Sequence, residues 1–462
     1  MKAFRSASGA GAKPAAAQPA ALKKALFFAE SLAKICARSQ VAPGRPLRWI
    51  IIANPTAGGF CLRARWARHR RALEECAALA EALPLRDSAP AQTAARFAKL
   101  PELAACGFAA TEAAGSAAEI AKALAAEAAA SLKAAEQAAL PGKSGAAPEG
   151  EAAAATELPG ESGAALEGAL PAASPCEPSS GAPFYLVIVA GGDGTSLEAL
   201  SVLLNAPEAI LSGAALPGAS RPSASCANAA CANMAILRLP MGTGNDGADF
   251  PELADALALL IRPSRIELTP ALRLRTAPGG RLASQGPFLA FNILSVGLDA
   301  FVTHMTNKTK KKSPGDFYKL WVDIAALLYD RLYTVGILDV KALDAQGSQT
   351  MALREKLLLL AVGASGRRTY GSQKKILPDD RNVCALRQMP LLRKLALKGL
   401  FATGAHASKP EAALFSAQRI EFSGAHPMLA QMDGETVLLQ KEDFPAAIEL
   451  TPPAIPVLRL AK

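Results

Sequence analysis

Three short segments combine glycine with carboxylate, amide and hydroxyl side chains, a combination that suits phosphate binding. Glycine lets backbone N–H groups approach a phosphate without obstruction by a Cβ atom, and a following helix adds the positive end of its dipole. Asp193 supplies a carboxylate where a Mg²⁺–nucleotide would bind, and Thr195 supplies a hydroxyl donor. A tight strand-to-helix turn would explain any one segment, but three together favour a nucleotide site. The segments are Asn54-Pro55-Thr56-Ala57-Gly58, Gly191-Gly192-Asp193-Gly194-Thr195 and Pro240-Met241-Gly242-Thr243-Gly244-Asn245-Asp246.

Each of these segments comes directly after an apolar run that is typical of a buried strand. Residues 48–53, 185–190 and 235–239 precede the three segments, and 107–111 forms a further short run. A helix is predicted over about 114–129. Since strands alternate with helices and the glycine segments follow the strand ends, the pattern predicts an α/β nucleotide-binding domain with an open, mostly parallel sheet.

The rest of the chain differs from this α/β pattern. From about residue 265, short apolar runs between turn residues predict a second, mainly β domain over 265–445, with one helix over about 316–331. The first domain then spans 46–264 and is interrupted by two segments of small residues, about 130–183 and 211–233. Their composition, with a repeat of LPGKSGAAPEG as LPGESGAALEG in the first, predicts disordered surface loops.

The N-terminal residues 1–45 form a basic extension. Within it, residues 21–38 place Leu22, Leu26 and Leu32 on one side of a predicted helix and lysines on the other. Such a helix either packs on the first domain or lies on a membrane surface, and the sequence leaves both open.

Composition narrows the classes of function. The formal charge of +10 favours an anionic partner. The four histidines lie too far apart for a zinc site, and 5% aromatic residues do not suit a base-stacking nucleic-acid surface. The eight cysteines form no CxxC pair, no apolar run reaches the ~20 residues of a spanning helix, and no secretory signal is recognisable. We therefore expect a cytoplasmic protein that binds no nucleic acid.

One competing interpretation concerns the third segment. Gly242 to Gly247 fits G-x-G-x-x-G, and Glu267 follows at about the distance of a ribose-binding acid, which would indicate a dinucleotide site. The motif follows the fourth predicted strand, however, and Pro240 precedes it. It would also leave the Gly191–Thr195 segment without a role.

The order of the motifs resembles the diacylglycerol kinase catalytic domain family, which includes bacterial lipid kinases and the sphingosine and ceramide kinases. Besides the three segments, the resemblance rests on Thr111-x-x-x-Gly115, Glu198, Gly297-x-Asp299-Ala300 and Asp433-Gly434-Glu435. It implies ATP and Mg²⁺ as cofactors, a β-sandwich-like second domain, and a return of residues 446–462 to the first domain. The nucleotide-binding positions that it implies are Asn54, Pro55, Thr56, Ala57, Gly58, Thr111, Gly191, Gly192, Asp193, Gly194, Thr195, Glu198, Gly242, Thr243, Asn245, Asp246 and Glu435.

The resemblance also assigns a general base. Asp433 would take the proton from the lipid hydroxyl, while Asp193, the rival for that role, would meet the metal of Mg²⁺–ATP. Without the resemblance, Asp433-Gly434 would be interpreted as a hairpin turn. Val383 and Cys384 replace acidic residues that the family often uses for a structural Mg²⁺, which argues against that second site.

The resemblance favours a lipid kinase that transfers the γ-phosphate of ATP to diacylglycerol or a related lipid, at the inner face of a membrane. A soluble, NAD-kinase-like nucleotide kinase and a non-catalytic lipid- or nucleotide-binding relative are the alternatives. Arg367 and Arg368 lie in a glycine-containing turn and are candidates for contacting phosphate or a lipid head group.

Overall fold

The computed structural model describes residues 19–139, 182–205, 232–242, 245, 247–310, 329–370 and 374–461. Its helices are α1 Pro19–Cys36, α2 Gly58–Cys61, α3 Arg63–Glu81, α4 Gln92–Phe97, α5 Pro101–Ala105, α6 Ser116–Ala139, α7 Asp193–Leu204, α8 Leu253–Ile261, α9 Leu298–Lys310, α10 Tyr329–Leu332 and α11 Leu391–Thr403. Its strands are β1 Leu47–Ala53, β2 Ser88–Pro90, β3 Phe108–Ala110, β4 Phe184–Gly191, β5 Met234–Pro240, β6 Ser264–Thr269, β7 Leu272–Arg275, β8 Phe288–Ala290, β9 Ile293–Gly297, β10 Ile337–Leu343, β11 Gln349–Gly363, β12 Arg368–Tyr370, β13 Lys374–Leu377, β14 Val383–Arg387, β15 Ala412–Phe415, β16 Arg419–Gly424, β17 Met428–Met432, β18 Glu435–Leu439, β19 Ala446–Leu450 and β20 Ile455–Leu460.

The first sheet is mostly parallel, as predicted. Its order is β2-β1-β4-β5-β20-β6, with β3 also paired to β1, and only the β20–β6 pair is antiparallel. Both faces are covered by helices. In β1, Ile51 packs with α1, α3 and α8, whereas its neighbours Ile50 and Ile52 pack with α6 and α7. Alternate residues of a strand point to opposite faces, so a strand buried on both sides must be apolar throughout.

Helix α1 packs on this domain. Phe28, Leu32 and Ile35 are fully buried in the core that α1 shares with α3 and β1. Because the apolar side of the helix is buried here, the structure supports the packed alternative rather than a helix that offers this side to a membrane.

The second sheet is antiparallel and has eleven strands. Its order is β18-β17-β9-β11-β10-β16-β19-β7-β8, with β14 paired to β11 and β15 to β14. One apolar core lies within this curled sheet, and a second lies between β11, β14 and the helices α9 and α11. The fold class is therefore confirmed: an α/β unit and a mainly β unit.

The strand pairing corrects the predicted boundaries. The start of the predicted second domain at residue 265 falls within β6, which belongs to the first sheet, and the second sheet begins only with β7. The return to the first sheet is made by β20 alone, since β19 at Ala446–Leu450 pairs with β16 and β7 in the second sheet. Sequence periodicity reports which residues are buried but not which sheet buries them.

Several predictions fall on parts of the chain outside the described residues. These are the extension up to residue 18, the insert residues 140–181 and 206–231, and most of the helix predicted over 316–331. The start of the first insert was predicted wrongly, because α6 continues to Ala139. A run of alanine with Glu and Lys has high helix propensity, and this favours continuation of the helix over a loop.

Arg45 joins the ends of the two inserts. Its guanidinium donates hydrogen bonds to the carbonyl oxygens of Ala182, Pro183 and Ala232 and, at 2.7 Å, to Oδ1 of Asn233. These residues immediately precede β4 and β5. One side chain thus fixes where both inserts re-enter the sheet.

A buried ion pair anchors the strand β5 to the loop that follows the phosphate segments. Arg238 is 4% exposed, and its Nη2 lies 2.8 Å from Oδ1 of Asp249, whose Oδ2 accepts the backbone N–H of Arg238. Asp249→Ala should destabilise the fold by about 3–5 kcal/mol, because it leaves a buried cation without its partner. Urea unfolding followed by tryptophan fluorescence measures this loss. Asp87→Ala is the control: its pair with Arg48 spans 3.9 Å at the surface, and we expect a change of at most ~1 kcal/mol.

Candidate functional site

The three glycine segments meet at one edge of the first sheet. The strands β1, β4 and β5 are parallel neighbours, so their carboxyl ends, and the segments that follow them, lie side by side. The backbone N–H of Asn54 donates to the carbonyl of Ala190 at 3.0 Å, and that of Gly59 donates to the carbonyl of Met241 at 2.8 Å. The segments are therefore joined directly to one another.

Two glycines are required by this contact. A Cβ atom on Gly242 would lie 2.8 Å from the Cα of Gly192, and one on Gly191 would lie 2.5 Å from the Cβ of Thr195. Thr195 itself is buried beneath Gly191. Helix α7 begins at Asp193 with no side-chain cap, so its first N–H groups face the space between the segments and can receive an anion.

The first segment is held by its own asparagine. Oδ1 of Asn54 accepts the backbone N–H of Thr56 at 2.9 Å and its hydroxyl at 2.7 Å. Pro55 and Ala57 are buried, so only their backbone atoms can serve a ligand. Thr111 follows β3 at the same edge and donates its N–H to the carbonyl of Ala53.

Glu198, predicted to contact the nucleotide, makes a structural contact with the start of α6. Its two carboxylate oxygens accept the backbone N–H groups of Gly115 at 2.9 Å and Ala117 at 3.3 Å. These groups lie at the start of α6, where helix N–H groups lack partners within the helix. Glu198 thus caps α6 and ties it to α7, and its predicted contact with the nucleotide stays a prediction.

Asp193 links the second segment to the third. Its Oδ1 accepts the backbone N–H of Gly247 at 2.9 Å. Asn245 lies nearby with a left-handed backbone (φ 61°), and its buried Oδ1 has no hydrogen-bond partner in the described part of the chain. Thr243 and Asp246, which were also predicted to bind the nucleotide, lie outside the described residues.

The carboxylate of Asp193 and the Oδ1 of Asn245 indicate whether the site suits a nucleotide with a bound metal ion. A buried oxygen without a donor is costly, and a ligand that supplies a donor or a cation removes that cost. Mg²⁺ prefers oxygen ligands and usually binds through one or two carboxylates together with phosphate oxygens. Asp193 and the Oδ1 of Asn245 fit this requirement. The described residues contain no cluster of three metal-binding side chains.

The hairpin turn between β17 and β18 brings the second sheet to this edge. Asp433 and Gly434 both have positive φ, 44° and 98°, as in the primed turns that favour this dipeptide. A Cβ atom on Gly434 would lie 3.8 Å from the Cβ of Asp193, and Oε1 of Glu435 lies 3.6 Å from the corresponding position on Gly194. The hairpin turn between β17 and β18 is thus part of the candidate site.

The Asp433 carboxylate is buried and held by backbone donors. It accepts N–H groups from Phe291, from Asn292 at 3.1 Å and from Ile293 at 2.9 Å. Burial raises its pKa above the usual carboxyl value, although these N–H groups and the Arg238 cation act in the opposite direction. The nearby Asp193 carboxylate raises it further. Asp433 is therefore a better proton acceptor than an ordinary aspartate.

Arg367 and Arg368 differ in exposure and in their partners. Arg367 forms an exposed ion pair with Asp380, at 2.7 Å, and Asp379 pairs with Arg381. The carboxylates of Asp379 and Asp380 are thus each paired with an arginine. Arg368 is half-buried, and its pKa is lowered to about 10 by burial and by the nearby cations Arg238 and Arg459.

An apolar cavity of about 170 Å³ lies in the second domain. Half of its fourteen lining residues are aliphatic, and Tyr370, Phe401, Met389, Asp299 and three lysines complete the wall. The lining residues are Leu298, Asp299, Val302, Leu358, Leu359, Tyr370, Lys374, Ile376, Leu386, Met389, Lys394, Leu397, Lys398 and Phe401. The cavity could not be predicted from the sequence, because its residues come from separate elements and most of them have the pattern of ordinary core positions.

A series of hydrogen-bonded side chains connects this cavity with the Asp433 turn. Asp299, whose pKa burial raises to about 7, accepts the hydroxyl of Ser295 at 2.6 Å and the Nε2 of Gln431 at 3.3 Å. Oε1 of Gln431 in turn accepts the N–H of Gly434 at 3.1 Å. On the same side, Nδ2 of Asn307 in α9 donates to the carbonyl of Gly434 at 2.7 Å. The cavity and the turn are thus held in fixed relation.

Comparison with known proteins bears on this arrangement. The family model described as "Diacylglycerol kinase catalytic domain" matches residues 167–261. The family resemblance is confirmed. The matched residues contain β4, β5 and the segments that follow them, whereas Asp433 lies beyond them. The match supports a kinase and leaves its acceptor undefined.

The solved structures to which the chain is similar include two from Bacillus anthracis and one from yeast. A Bacillus anthracis str. Sterne protein provisionally named a diacylglycerol kinase has 13% identity over 89% of this chain and 97% of its own, with a TM-score of 0.46. A diacylglycerol kinase structure from the same organism has 12% identity over 89% and 96%, with a TM-score of 0.41. Yeast NADH kinase complexed with NADH has 10% identity over 90% and 84%, with a TM-score of 0.31. No curated protein matches the sequence. None of the described helices is long and apolar enough to cross a membrane.

Proposed function

We propose that the protein transfers the γ-phosphate of ATP to a hydroxyl of a membrane lipid, with diacylglycerol as the leading candidate. The observation that carries this proposal is the apolar cavity and its connection to the Asp433 turn through Asp299 and Gln431. Acyl chains need an apolar wall, with few polar groups placed to orient the head group. A soluble acceptor such as NAD would instead leave a largely apolar lining unused.

The nucleotide would be bound at the edge of the first sheet. The N–H groups at the start of α7 and the backbone of the glycine segments receive its phosphates, and Asp193 with Asn245 would hold Mg²⁺. When bound, the metal neutralises charge on the phosphate oxygens. The chain itself excludes water and aligns the γ-phosphate with the acceptor, which accounts for much of the catalysis in phosphoryl transfer.

Asp433 would act as the general base. Its carboxylate accepts the proton of the lipid hydroxyl while that oxygen bonds to the γ-phosphorus, and ADP leaves with the electrons of the broken bond. A raised pKa suits this role, since it increases the drive for proton transfer. One oxygen must exchange a backbone N–H for the substrate hydroxyl. Asp193 is less suited to the role because Gly247 and the start of α7 hold it on the nucleotide side.

Filling the cavity should weaken the use of the lipid substrate without changing the use of the nucleotide. Val302→Trp adds a ring to the cavity wall, and we expect the KM for long-chain diacylglycerol to rise about tenfold or more while the KM for ATP stays within twofold. The measurement is labelled phosphate transfer to a panel of mixed-micelle lipids, with NAD as the soluble acceptor.

Ile337→Trp is the matched control, because Ile337 is 51% exposed on β10 and lies away from the cavity. Equal effects of the two variants on the lipid KM would contradict the cavity as the acyl site. Label on NAD and on no lipid would overturn the lipid kinase, and ATP binding without transfer to any acceptor would favour the non-catalytic relative.

A further inference from the structure

Helix α11 exposes an apolar side. Leu391, Leu392 and Leu395 are 38%, 80% and 46% exposed. At 100° per residue these leucines share one side of the helix with small exposed residues, and no charged residue lies among them. The small residues are Ala396, Gly399, Ala402 and Thr403. No other described helix presents three exposed leucines.

The opposite side of α11 forms a wall of the cavity. Leu397 and Phe401 line it, and Lys394 is 7% exposed with its Nζ 2.6 Å from Oδ1 of Asp330. The helix is thus apolar on both sides, with the cavity within and solvent outside. Single exposed leucines are common on soluble proteins, but a group of them on the wall of a cavity suited to acyl chains indicates a contact surface.

Exposed cations lie on α11 and on the strand that packs against it. Lys398 is exposed at the border of the apolar side, and Lys374 and Lys375 are exposed on β13, which packs against α11. The helix contains no acidic residue, and Arg393 at its other border is paired with Glu411. An apolar strip bordered by lysines is complementary to an anionic bilayer, whose surface attracts cations and whose acyl boundary accepts leucine.

We propose that α11 docks on an anionic lipid bilayer, with the three leucines at the boundary of the head groups and Lys374, Lys375 and Lys398 at the phosphates. The purpose of this contact rests on the proposed lipid kinase function, because it places the cavity wall against the source of the acceptor. A second copy of the chain fits less well, since a symmetric contact would bring two positively charged surfaces together.

The test compares two leucine variants of the full chain. In co-sedimentation without ATP, the wild type should bind phosphatidylcholine vesicles that contain phosphatidylglycerol better than vesicles of phosphatidylcholine alone. Leu392→Glu with Leu395→Glu should lower this partition at least about tenfold, because carboxylates replace apolar side chains at an anionic surface. Leu79→Glu is the control: Leu79 is 64% exposed on α3 of the first domain, and its variant should bind like the wild type.

Each other outcome overturns the proposal. Binding of the double variant equal to that of the wild type, with circular dichroism showing the same fold, would exclude α11 as the docking surface. So would failure of the wild type to bind anionic vesicles. A wild-type dimer that the double variant converts to a monomer would assign the leucines to a second copy of the chain.

Two measurements distinguish failure of the docking proposal from failure of the proposed lipid kinase function. Phosphorylation of a water-soluble, short-chain diacylglycerol by the wild type reports the activity without any membrane. Turnover of this acceptor with unaltered vesicle binding by the double variant would refute docking alone. Leucine-dependent vesicle binding without phosphorylation of any lipid would support docking and refute the kinase.

Discussion

Asp433→Asn should lower kcat by about 10²–10⁴-fold, the usual contribution of a positioned general base. The amide cannot accept the hydroxyl proton, and it places an NH₂ group against the N–H groups of Phe291, Asn292 and Ile293. The left-handed backbone at Asp433 is tolerated by asparagine, so the turn itself can persist. Initial rates at saturating ATP and lipid measure the loss, and unchanged nucleotide binding shows that the first domain remains intact.

Asp443→Asn separates the loss of a base from the loss of a buried carboxylate. Asp443 is also fully buried and accepts backbone N–H groups, from Leu282 and Gln440, each at 2.9 Å. It lies after β18, away from the glycine segments. Both variants should lose stability, whereas kcat of the folded protein should fall only for Asp433→Asn. Equal kcat values for the two variants would remove Asp433 from the mechanism and leave Asp193 as the base.

The assignment of Asp433 as the general base determines the direction in which activity changes with pH. Asp433 must be ionised to accept a proton, and its pKa is raised above 3.8 in the folded protein. The acidic limb of kcat/KM should therefore lie above the range of an ordinary aspartate, with activity lost as the pH falls through the raised pKa. Since the folded state binds this proton more tightly than the unfolded chain, Asp433 lowers stability once the pH rises above its unfolded pKa. A profile limited only by ordinary carboxyl titration would contradict the assignment.

Gly242→Ala should have a comparably large effect, on the nucleotide side. The added Cβ would lie 2.8 Å from the Cα of Gly192, a backbone atom that cannot rotate away, so the second and third segments must separate. A displacement of about 1 Å at a phosphoryl-transfer site costs about 10²-fold in rate. We expect a loss of that order in kcat/KM for ATP, measured by steady-state kinetics, with weaker ATP binding by calorimetry.

Gly279→Ala is the matched control for this change. A Cβ atom on Gly279 meets no atom within 4 Å, so alanine there should leave the kinetics of ATP unchanged. If Gly242→Ala bound and used ATP like the wild type, the close contact of the glycine segments would have no functional meaning.

The first sheet and its segments could be predicted because their signals are local. The strands β1, β4 and β5 are predominantly apolar runs, and each is followed at once by its glycine segment. Parallel pairing then places the segments together without further information. The pairing partners of β6, β19 and β20 could not be predicted in this way, because strand order in a sheet depends on contacts between distant parts of the chain.

The contacts that site residues make within the protein could not be predicted, for a similar reason. Glu198 has the residue type of a nucleotide contact, but its carboxylate reaches the start of α6. Arg367 was a candidate for phosphate, and Asp380 on the facing segment pairs with it instead. In each case the side chain could be predicted to be polar and near the site, whereas its partner is set by three-dimensional packing.

The most direct measurement of the central claim offers both kinds of acceptor in one reaction. Wild-type protein, Mg²⁺ and ATP labelled in the γ-phosphate would be incubated with diacylglycerol in mixed micelles and NAD at equal concentration, followed by extraction into organic solvent. We predict label in the organic phase, as a phosphorylated lipid, and its loss with Asp433→Asn. Label that stays in the aqueous phase as phosphorylated NAD would contradict the account.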